Sequence, residues 1–170
     1  MDAWLAIASR REVRDYADRP LPADIRRRIL DAGRLAGSAR NRQPWRFVVV
    51  EDDDRQKRLA DAVYAPGNVR GARFVVALVV AGKGPVSFDA GRAAQNMVLA
   101  AWACGVGSCP NGLRDPEAGN EALGVAEDER PAIVLTFGYP ARPRDPEGRS
   151  PEEWSRGARR KPLSELVRIL

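Results

Sequence analysis

The stretch Arg73-Phe74-Val75-Val76-Ala77-Leu78-Val79-Val80 is apolar at every position after the arginine. Its length and its many β-branched residues predict a β-strand, and the missing polar alternation predicts that both faces of that strand are covered. Phe47-Val48-Val49-Val50 has the same character, and Pro131 to Phe137 is a third candidate strand. Strands covered on both faces predict a layered α/β/α or α+β domain.

Helical segments precede and follow the segment from Phe47 to Val50, which is the first strand in chain order. Residues 2–11 can form a short helix capped by Asp2, and Pro22 suits the first turn of a second helix that stops at Gly37. A charged turn after the first strand can cap a third helix from about Asp54 to Val63. These helices can cover the sheet on its two faces.

The longest predicted helix runs from Ala90 to Cys104, with Asp89 as its cap. The segment is rich in alanine and apolar almost all round, which predicts burial at the centre of the domain or at a subunit interface. The glycine-rich segment from Gly105 to Gly112 follows it and is predicted to be a turn. That turn either ends the helix or brings backbone N–H groups close to a ligand.

The whole chain, residues 1–170, is predicted to be one domain, because a chain of this size buries roughly 70% of the surface that its unfolded form exposes. From Ala141 to Gly157 the composition shifts to proline, glycine and charge, as in a linker or an extended arm. Order is expected to return at Pro162 to Val167. We expect a C-terminal arm at about 141–170 that packs on a second subunit.

Histidine is absent, and this excludes Ser-His-Asp triads, Cys-His dyads and histidine-ligated metal sites. Cys104 and Cys109 lack the further ligands of a zinc site, and with no export signal they are expected to be reduced, small and buried. No catalytic side chain and no metal ligand is therefore predicted. The chemistry is expected to come from a cofactor that brings its own reactivity.

The net charge of +5 favours neither nucleic acid nor a membrane as a partner. Basic and acidic residues are interleaved, and no motif for RNA or DNA binding accompanies them. The longest apolar stretch, Phe74 to Ala81, is too short to span a bilayer, and Met1-Asp2-Ala3-Trp4 does not begin a signal peptide. A cytoplasmic protein is expected.

Two polar segments are candidates for ligand binding. Arg10 and Arg14 lie on one side of the chain whether it is helical or extended, so they can form a clamp for a phosphate or can be surface ion pairs, with Glu12 as a partner. The segment from Ser38 to Trp45 carries Asn41 and Gln43, whose amides suit the edge of a polar heterocycle. The alternative is a surface loop whose amides bind nearby backbone.

Taken in order, six segments closely resemble the nitroreductase family of FMN enzymes. The segments are Arg10-Arg11-Glu12-Val13-Arg14-Asp15-Tyr16, Ile29 to Gly33 with Gly37 to Phe47, Asp89-Ala90-Gly91-Arg92-Ala93-Ala94-Gln95-Asn96, Gly105-Val106-Gly107-Ser108-Cys109, Phe137-Gly138-Tyr139-Pro140 and Arg160-Lys161-Pro162-Leu163. Departures from the family pattern are Glu12, where serine is common, and Gly37, where proline is common. The resemblance spans nearly the whole chain.

The resemblance implies an α+β fold with three α/β/α layers, a mixed sheet flanked by helices, and a homodimer whose two subunits share each active site. The long helix near Gln95 would lie in the interface, and the C-terminal arm would wrap over the other subunit. The cofactor is expected to be FMN. Its expected binding residues are Arg10, Arg11, Arg14 and Arg160 around the phosphate, Ser38 and Asn41 from the second subunit, Gln43 nearby, and the backbone amides of Gly107 and Ser108 at the ring.

The activity that the resemblance implies is transfer of two electrons from NADH or NADPH, through the flavin, to a nitroaromatic, a quinone or a similar acceptor. Two alternatives stay open. The chain can be a relative of the oxygen-using enzyme that degrades reduced FMN to make the lower ligand of cobamides. It can also bind a flavin or deazaflavin without turnover.

Overall fold

The computed structural model describes every residue from Met1 to Leu170 and divides the chain into two compact units. The core unit comprises Arg11–Pro143, and the terminal unit comprises Met1–Arg10 together with Arg144–Leu170. That the chain forms one domain with an arm packed on a second subunit stays a prediction.

The core unit contains one sheet of four strands in the order β1-β2-β4-β3. Strand β2 is central and is buried at every residue but its last, so the prediction of a strand covered on both faces is confirmed. The strands are β1 Trp45–Val50, β2 Phe74–Ala81, β3 Gly107–Asn111 and β4 Glu129–Gly138.

Helices cover both faces of this sheet. The core unit holds α2 Ala23–Arg34, α3 Asp53–Ala62, α4 Pro66–Arg70, α5 Val86–Ala103 and α6 Pro116–Leu123, with a short 3-10 turn at Ala39–Asn41. On one face, Val75 and Val79 of β2 pack with Leu59 of α3 and Leu123 of α6. On the other face, Leu78 of β2 packs with Ile29 of α2 and Met97 of α5. The α+β class and its three layers are confirmed.

The expectation of a mixed sheet is wrong, because all three ladders between the strands are antiparallel. Helix α5 does return the chain so that β3 runs in the same direction as β2. However, β4 lies between these two strands and runs opposite to both. The only parallel pairing is an isolated bridge between Glu12 and Ser108.

Two predictions near α5, the start of the helix and the turn after it, are also wrong. The helix begins at Val86, so Asp89 lies within its first turn and does not cap it. The glycine-rich segment after the helix is not simply a turn, because Gly107 to Asn111 form the edge strand β3. Only Gly105, with φ of 72°, has the left-handed backbone that favours glycine. Pairing with β4 overrides the low strand propensity of glycine and proline here.

Helix α2 ends earlier than predicted, with Leu35 as its C-terminal cap in place of Gly37. The short helices α4 and α6 were not predicted; each starts with a proline in its first turn. Their five and eight residues leave little room for a visible apolar repeat.

The terminal unit is helical, with α1 Ala3–Ser9, α7 Pro151–Gly157 and α8 Leu163–Leu166. Asp2 caps α1 as predicted, since its carboxylate accepts a hydrogen bond of 2.8 Å from the amide of Leu5. Part of the predicted linker is the helix α7, whose capping box joins Ser150 and Glu153. No helix in the structure has both the length and the apolar character that crossing a bilayer requires.

Candidate functional site

The first group of predicted site residues forms a loop between α2 and β1, from Ser38 to Gln43. Three of its residues have left-handed backbone although none is glycine: Arg40 (φ 55°), Asn41 (φ 54°) and Gln43 (φ 48°). Such conformations cost of the order of 1–3 kcal/mol each and persist where surrounding contacts hold them. Backbone strain of this kind is concentrated at ligand-binding sites, so this loop is a candidate on geometry as well as on sequence.

Internal hydrogen bonds shape the Ser38–Gln43 loop. The hydroxyl oxygen of Ser38 accepts a bond of 2.8 Å from the amide of Gln43, and the side chain of Gln43 donates one of 3.3 Å to the carbonyl of Asn41. Ser38 and Gln43 thus act within the loop, as the surface-loop interpretation expects. The side chain of Asn41 is exposed, as are those of Arg40, Arg42 and Gln43.

The loop is tied to α5 by a residue that the sequence analysis assigned to a helix cap. The carboxylate of Asp89 accepts a hydrogen bond of 3.1 Å from the amide of Ala39. Asp89 is only 3% exposed. The sequence holds one usable signal, since Asp89 is the only acidic residue of α5 and a buried carboxylate needs a hydrogen-bond partner or a helix N-terminus.

The second group of predicted site residues lies along the edge strand β3. The extended segment from Arg11 to Tyr16 runs beside it, and the amide of Val13 donates a bond of 3.0 Å to the carbonyl of Ser108. A bridge also joins Glu12 to Ser108. The structure therefore brings the arginine-rich segment and the Gly107-Ser108 pair together, as the prediction of one shared site requires.

Two glycines of the resemblance motifs make room for this segment. A Cβ atom on Gly107 would lie 2.6 Å from Cβ of Val13, and one on Gly138 would lie 2.7 Å from the ring of Tyr16. Gly107 and Ser108 are themselves buried in the single chain. That the backbone amides of this pair contact a flavin ring stays a prediction.

Arg14 is the exposed cation of this second group. Its guanidinium forms no salt bridge with Glu12, Asp15 or any other carboxylate of the chain, so the interpretation as a surface ion pair is wrong for Arg14. Neighbouring Arg11 is half-buried. An exposed guanidinium without a carboxylate partner fits a phosphate group in charge and in hydrogen-bond geometry.

The other two predicted phosphate ligands belong to the terminal unit. Arg10 is the C-terminal cap residue of α1, where its amide donates to the carbonyl of Ala6. The guanidinium of Arg160 donates a bond of 3.0 Å to the carbonyl of Ala158 and is exposed. That Arg10, Arg14 and Arg160 meet at one phosphate stays a prediction.

A buried polar network supports β3 from behind. The side chain of Asn111 donates to the carbonyl of Cys109 at 2.9 Å and accepts from Asn68 at 2.8 Å. The hydroxyl of Thr136 donates to the same Cys109 carbonyl at 3.0 Å, and the hydroxyl of Tyr16 lies 3.0 Å from that of Thr136. Burial raises the pKa of the Tyr16 phenol above its ordinary value, so the phenol stays neutral in the fold.

The two cysteines differ in burial. Cys109 is 2% exposed and Cys104 is half-buried, and both are free thiols. Cys109 is held inside the polar network, where Asn68 lies 3.6 Å from its sulfur atom. The expectation of buried cysteines is confirmed for Cys109 but is wrong for the half-buried Cys104, while their being reduced and their having no part in catalysis stay predictions.

Comparison with known proteins identifies the class to which this fold and these motifs belong. The model of the nitroreductase family matches residues 7–83 and 86–139. A protein of Archaeoglobus fulgidus, provisionally named an NADH dehydrogenase/NAD(P)H nitroreductase, is 35% identical over 150 residues, covering 82% of this chain and 86% of its own. An NADH dehydrogenase of Thermus thermophilus is 28% identical over 192 residues, with 90% and 94% covered.

Solved structures agree with this. A crystal structure of a protein from Desulfovibrio desulfuricans, provisionally named a nitroreductase and in complex with FMN, superposes with a TM-score of 0.82 at 30% identity, covering 98% of this chain and 96% of that one. The chain belongs to the nitroreductase family.

Proposed function

We propose that this protein is an FMN-dependent oxidoreductase that passes two electrons from NADH or NADPH to a nitroaromatic, a quinone or a similar small acceptor. The observation that carries the proposal is the exposed Arg14 guanidinium, without a carboxylate partner, on the segment that runs beside Gly107-Ser108. The names of the Archaeoglobus fulgidus and Thermus thermophilus relatives and the FMN complex of the Desulfovibrio desulfuricans protein support it.

Bound FMN would supply the redox chemistry by accepting hydride from NAD(P)H at N5 and releasing two electrons to the acceptor. The role of the chain is then to bind and orient the cofactor. Arg14, with Arg10, Arg11 and Arg160, would hold the phosphate, and the backbone of Gly107-Ser108 would lie along the ring edge. No residue has to act as a nucleophile, which suits a chain without histidine.

The binding site would be completed by a second copy of the chain, whose Ser38 and Asn41 would contact the same flavin. Several apolar side chains favour such a partner. Phe88 on α5 is 68% exposed, and Leu163 and Leu166 of α8 are 75% and 63% exposed. Large apolar side chains that stay exposed on the helices of a single chain are typical of an interface.

The homodimer is tested by its mass in solution. Light scattering on the flavin-loaded protein should give twice the 18.6 kDa of the single chain. Removing residues 158–170 should weaken both the dimer and flavin retention, because the exposed apolar side chains of α8 and Arg160 are lost together. A flavin-loaded protein that scatters as a single chain would contradict the shared site.

Replacing Arg14 tests the phosphate site. A hydrogen bond to a charged group contributes roughly 1.5–3 kcal/mol, so Arg14→Ala should weaken FMN binding by roughly tenfold to a hundredfold. Riboflavin lacks the phosphate and should bind wild type and variant alike. Fluorescence titration of both flavins into both proteins measures the two ratios.

A matched control is Arg34→Ala, which removes another exposed arginine of the core unit, one whose guanidinium is paired with Asp31 at 2.7 Å. Its flavin affinities should equal those of wild type. Equal FMN affinity in wild type and Arg14→Ala would place the phosphate elsewhere.

Oxidation of NAD(P)H in the presence of a quinone separates an enzyme from a protein that only carries the flavin.

A further inference from the structure

Three polar residues on one face of α5 contact α2 and the connection that leads from α2 to β1: Asn96 contacts α2, and Asp89 and Arg92 contact the connection. Asp89, Arg92 and Asn96 are spaced at i, i+3 and i+7, which places them on the same side of a helix. The Ala39 amide donates to Asp89 at 3.1 Å. The guanidinium of Arg92 lies where a Cβ on Gly37 would be only 2.5 Å away, and the amide of Asn96 donates to the carbonyl of Ala32 at 3.2 Å.

Asp89 is the buried member of this set. Arg92 and Asn96 are exposed, whereas Asp89 is 3% exposed and lies in the first turn of α5. The N-terminus of a helix favours a negative charge, so α5 stabilises the carboxylate while the carboxylate holds the loop. A buried carboxylate is costly unless hydrogen-bonded, which fixes the Ala39 amide against it.

The Ser38–Gln43 loop starts one residue before this contact. The left-handed conformations at Arg40, Asn41 and Gln43 all follow Ala39. A chain released at Ala39 can relax these residues to the ordinary region of backbone space, and the direction of Asn41 would change with them.

We propose that Asp89, with Arg92 and Asn96, holds the Ser38–Gln43 loop in the conformation that meets the flavin ring. These are positioning residues that act through the loop and do not touch the cofactor. The inference rests on the proposed function, because the loop's part in flavin binding does. The conformation of the loop itself can be measured without any flavin.

Trypsin cleavage of the flavin-free protein measures that conformation, since Arg40 and Arg42 are cleavage sites inside the loop. Asp89→Ala should speed cleavage after Arg40 and Arg42 at least tenfold. Asp52→Ala is the matched control, because the carboxylate of Asp52 also accepts a hydrogen bond from a backbone amide, that of Arg55 at 2.7 Å. The control should cleave in the loop at the wild-type rate.

Two further variants cover the case in which Asp89→Ala does not fold. Asp89→Asn keeps an acceptor oxygen of the same shape and should restore slow cleavage. Asn96→Ala changes an exposed residue and should speed cleavage about threefold, because it removes the hydrogen bond by which α5 holds Ala32 in the last turns of α2, shortly before the loop. Cleavage at the wild-type rate in both Asn96→Ala and folded Asp89→Ala would overturn the proposal that these residues hold the loop.

Flavin titration then tests the link to the ring. Asp89→Ala should weaken FMN and riboflavin binding by equal factors of about ten, unlike Arg14→Ala, which should affect FMN alone. A loop that opens while both affinities stay at wild-type values would overturn the positioning role. Wild-type protein that binds no flavin would refute the proposed function, and the cleavage rates would still decide whether Asp89 holds the loop.

Discussion

The two groups of candidate site residues are supported in opposite ways. The Gly107-Ser108 pair lies in a strand that pairs with β4 and has a buried polar network of Tyr16, Asn68, Asn111 and Thr136 behind it. The Ser38–Gln43 loop lies outside the sheet, holds three residues in left-handed conformations and is tied down by the single buried carboxylate of Asp89. One part is redundantly supported, and the other depends on few contacts.

This difference indicates a division of roles. A strand within a hydrogen-bonded network is a fixed reference against which a rigid ligand ring can lie. A strained loop with few contacts can adjust, and strained or loosely held elements are the ones that take part in ligand-linked motion. We therefore expect mutations on the β3 side to act mainly through stability, and mutations on the loop side to act mainly through affinity.

The largest effect on the β3 side is expected from Gly107→Ala. The new methyl group would lie 2.6 Å from Cβ of Val13, an atom too close to the backbone to move aside. Overpacking of this kind costs about 1–3 kcal/mol, and thermal melting falls by about 2–4 °C for each kcal/mol in a chain of this size. Flavin affinity should fall as well, because β3 must shift.

A double-mutant cycle identifies the cause of the stability loss in Gly107→Ala. Adding Val13→Ala should recover part of the loss, since the two sites are in contact and should be non-additive. Gly67→Ala serves as the control, because nothing lies within 4 Å of its added methyl group. If the Gly107→Ala and Gly67→Ala proteins melt alike, the close packing against Val13 is not what requires glycine.

A smaller effect is expected from Tyr16→Phe, which tests the redundancy of the network. The change removes the hydroxyl near Thr136 and should cost about 1 kcal/mol at neutral pH. Affinity for FMN should stay within about twofold of wild type, because Asn111 and Thr136 still hold the Cys109 carbonyl. A large loss of affinity would show that the β3 side is as dependent on single contacts as the loop.

The same variant has a pH signature. The pKa of Tyr16 is raised by burial above its ordinary value of 10.0, so above that pH the unfolded chain loses a proton that the folded chain keeps. The wild-type protein should therefore lose stability as pH rises through and beyond 10, and Tyr16→Phe should lose less. Melting curves of both proteins between pH 8 and pH 11 give the difference.

Local sequence patterns predicted the central strand β2 well, but they predicted the edge strand β3 and the helix α7 poorly. The apolar run of β2 predicts a covered strand because burial on both faces leaves a continuous signature. Strand β3 carries the sequence Gly-Ser-Cys-Pro-Asn, in which nothing but pairing with β4 favours a strand. Helix α7 lies in a segment rich in proline and charge, although Ser150 followed by Glu153 is a capping-box signature that could have indicated it.

Recognisable residue types predicted which segments of the candidate site lie together, but they did not predict the contacts between residues far apart in sequence. The arginine-rich segment and Gly107-Ser108 were assigned to one site, and the structure brings them together. The role of Asp89 could not be predicted, because its partner Ala39 is 50 residues away in sequence. The polar network behind β3 likewise joins residues from four separate segments.

The composition of β3 also affects which edge of the sheet can start aggregation. An outer strand exposes unpaired backbone groups that can template growth of a fibril. On β3, the Ser108 carbonyl already accepts a hydrogen bond from the amide of Val13, and Pro110 has no N–H. The unpaired backbone groups along this outer edge are therefore interrupted twice. The opposite outer strand, β1, keeps an N–H at every residue from Trp45 to Val50 and is rich in valine. Heat-induced aggregates should therefore grow from β1, and a proline there should slow them.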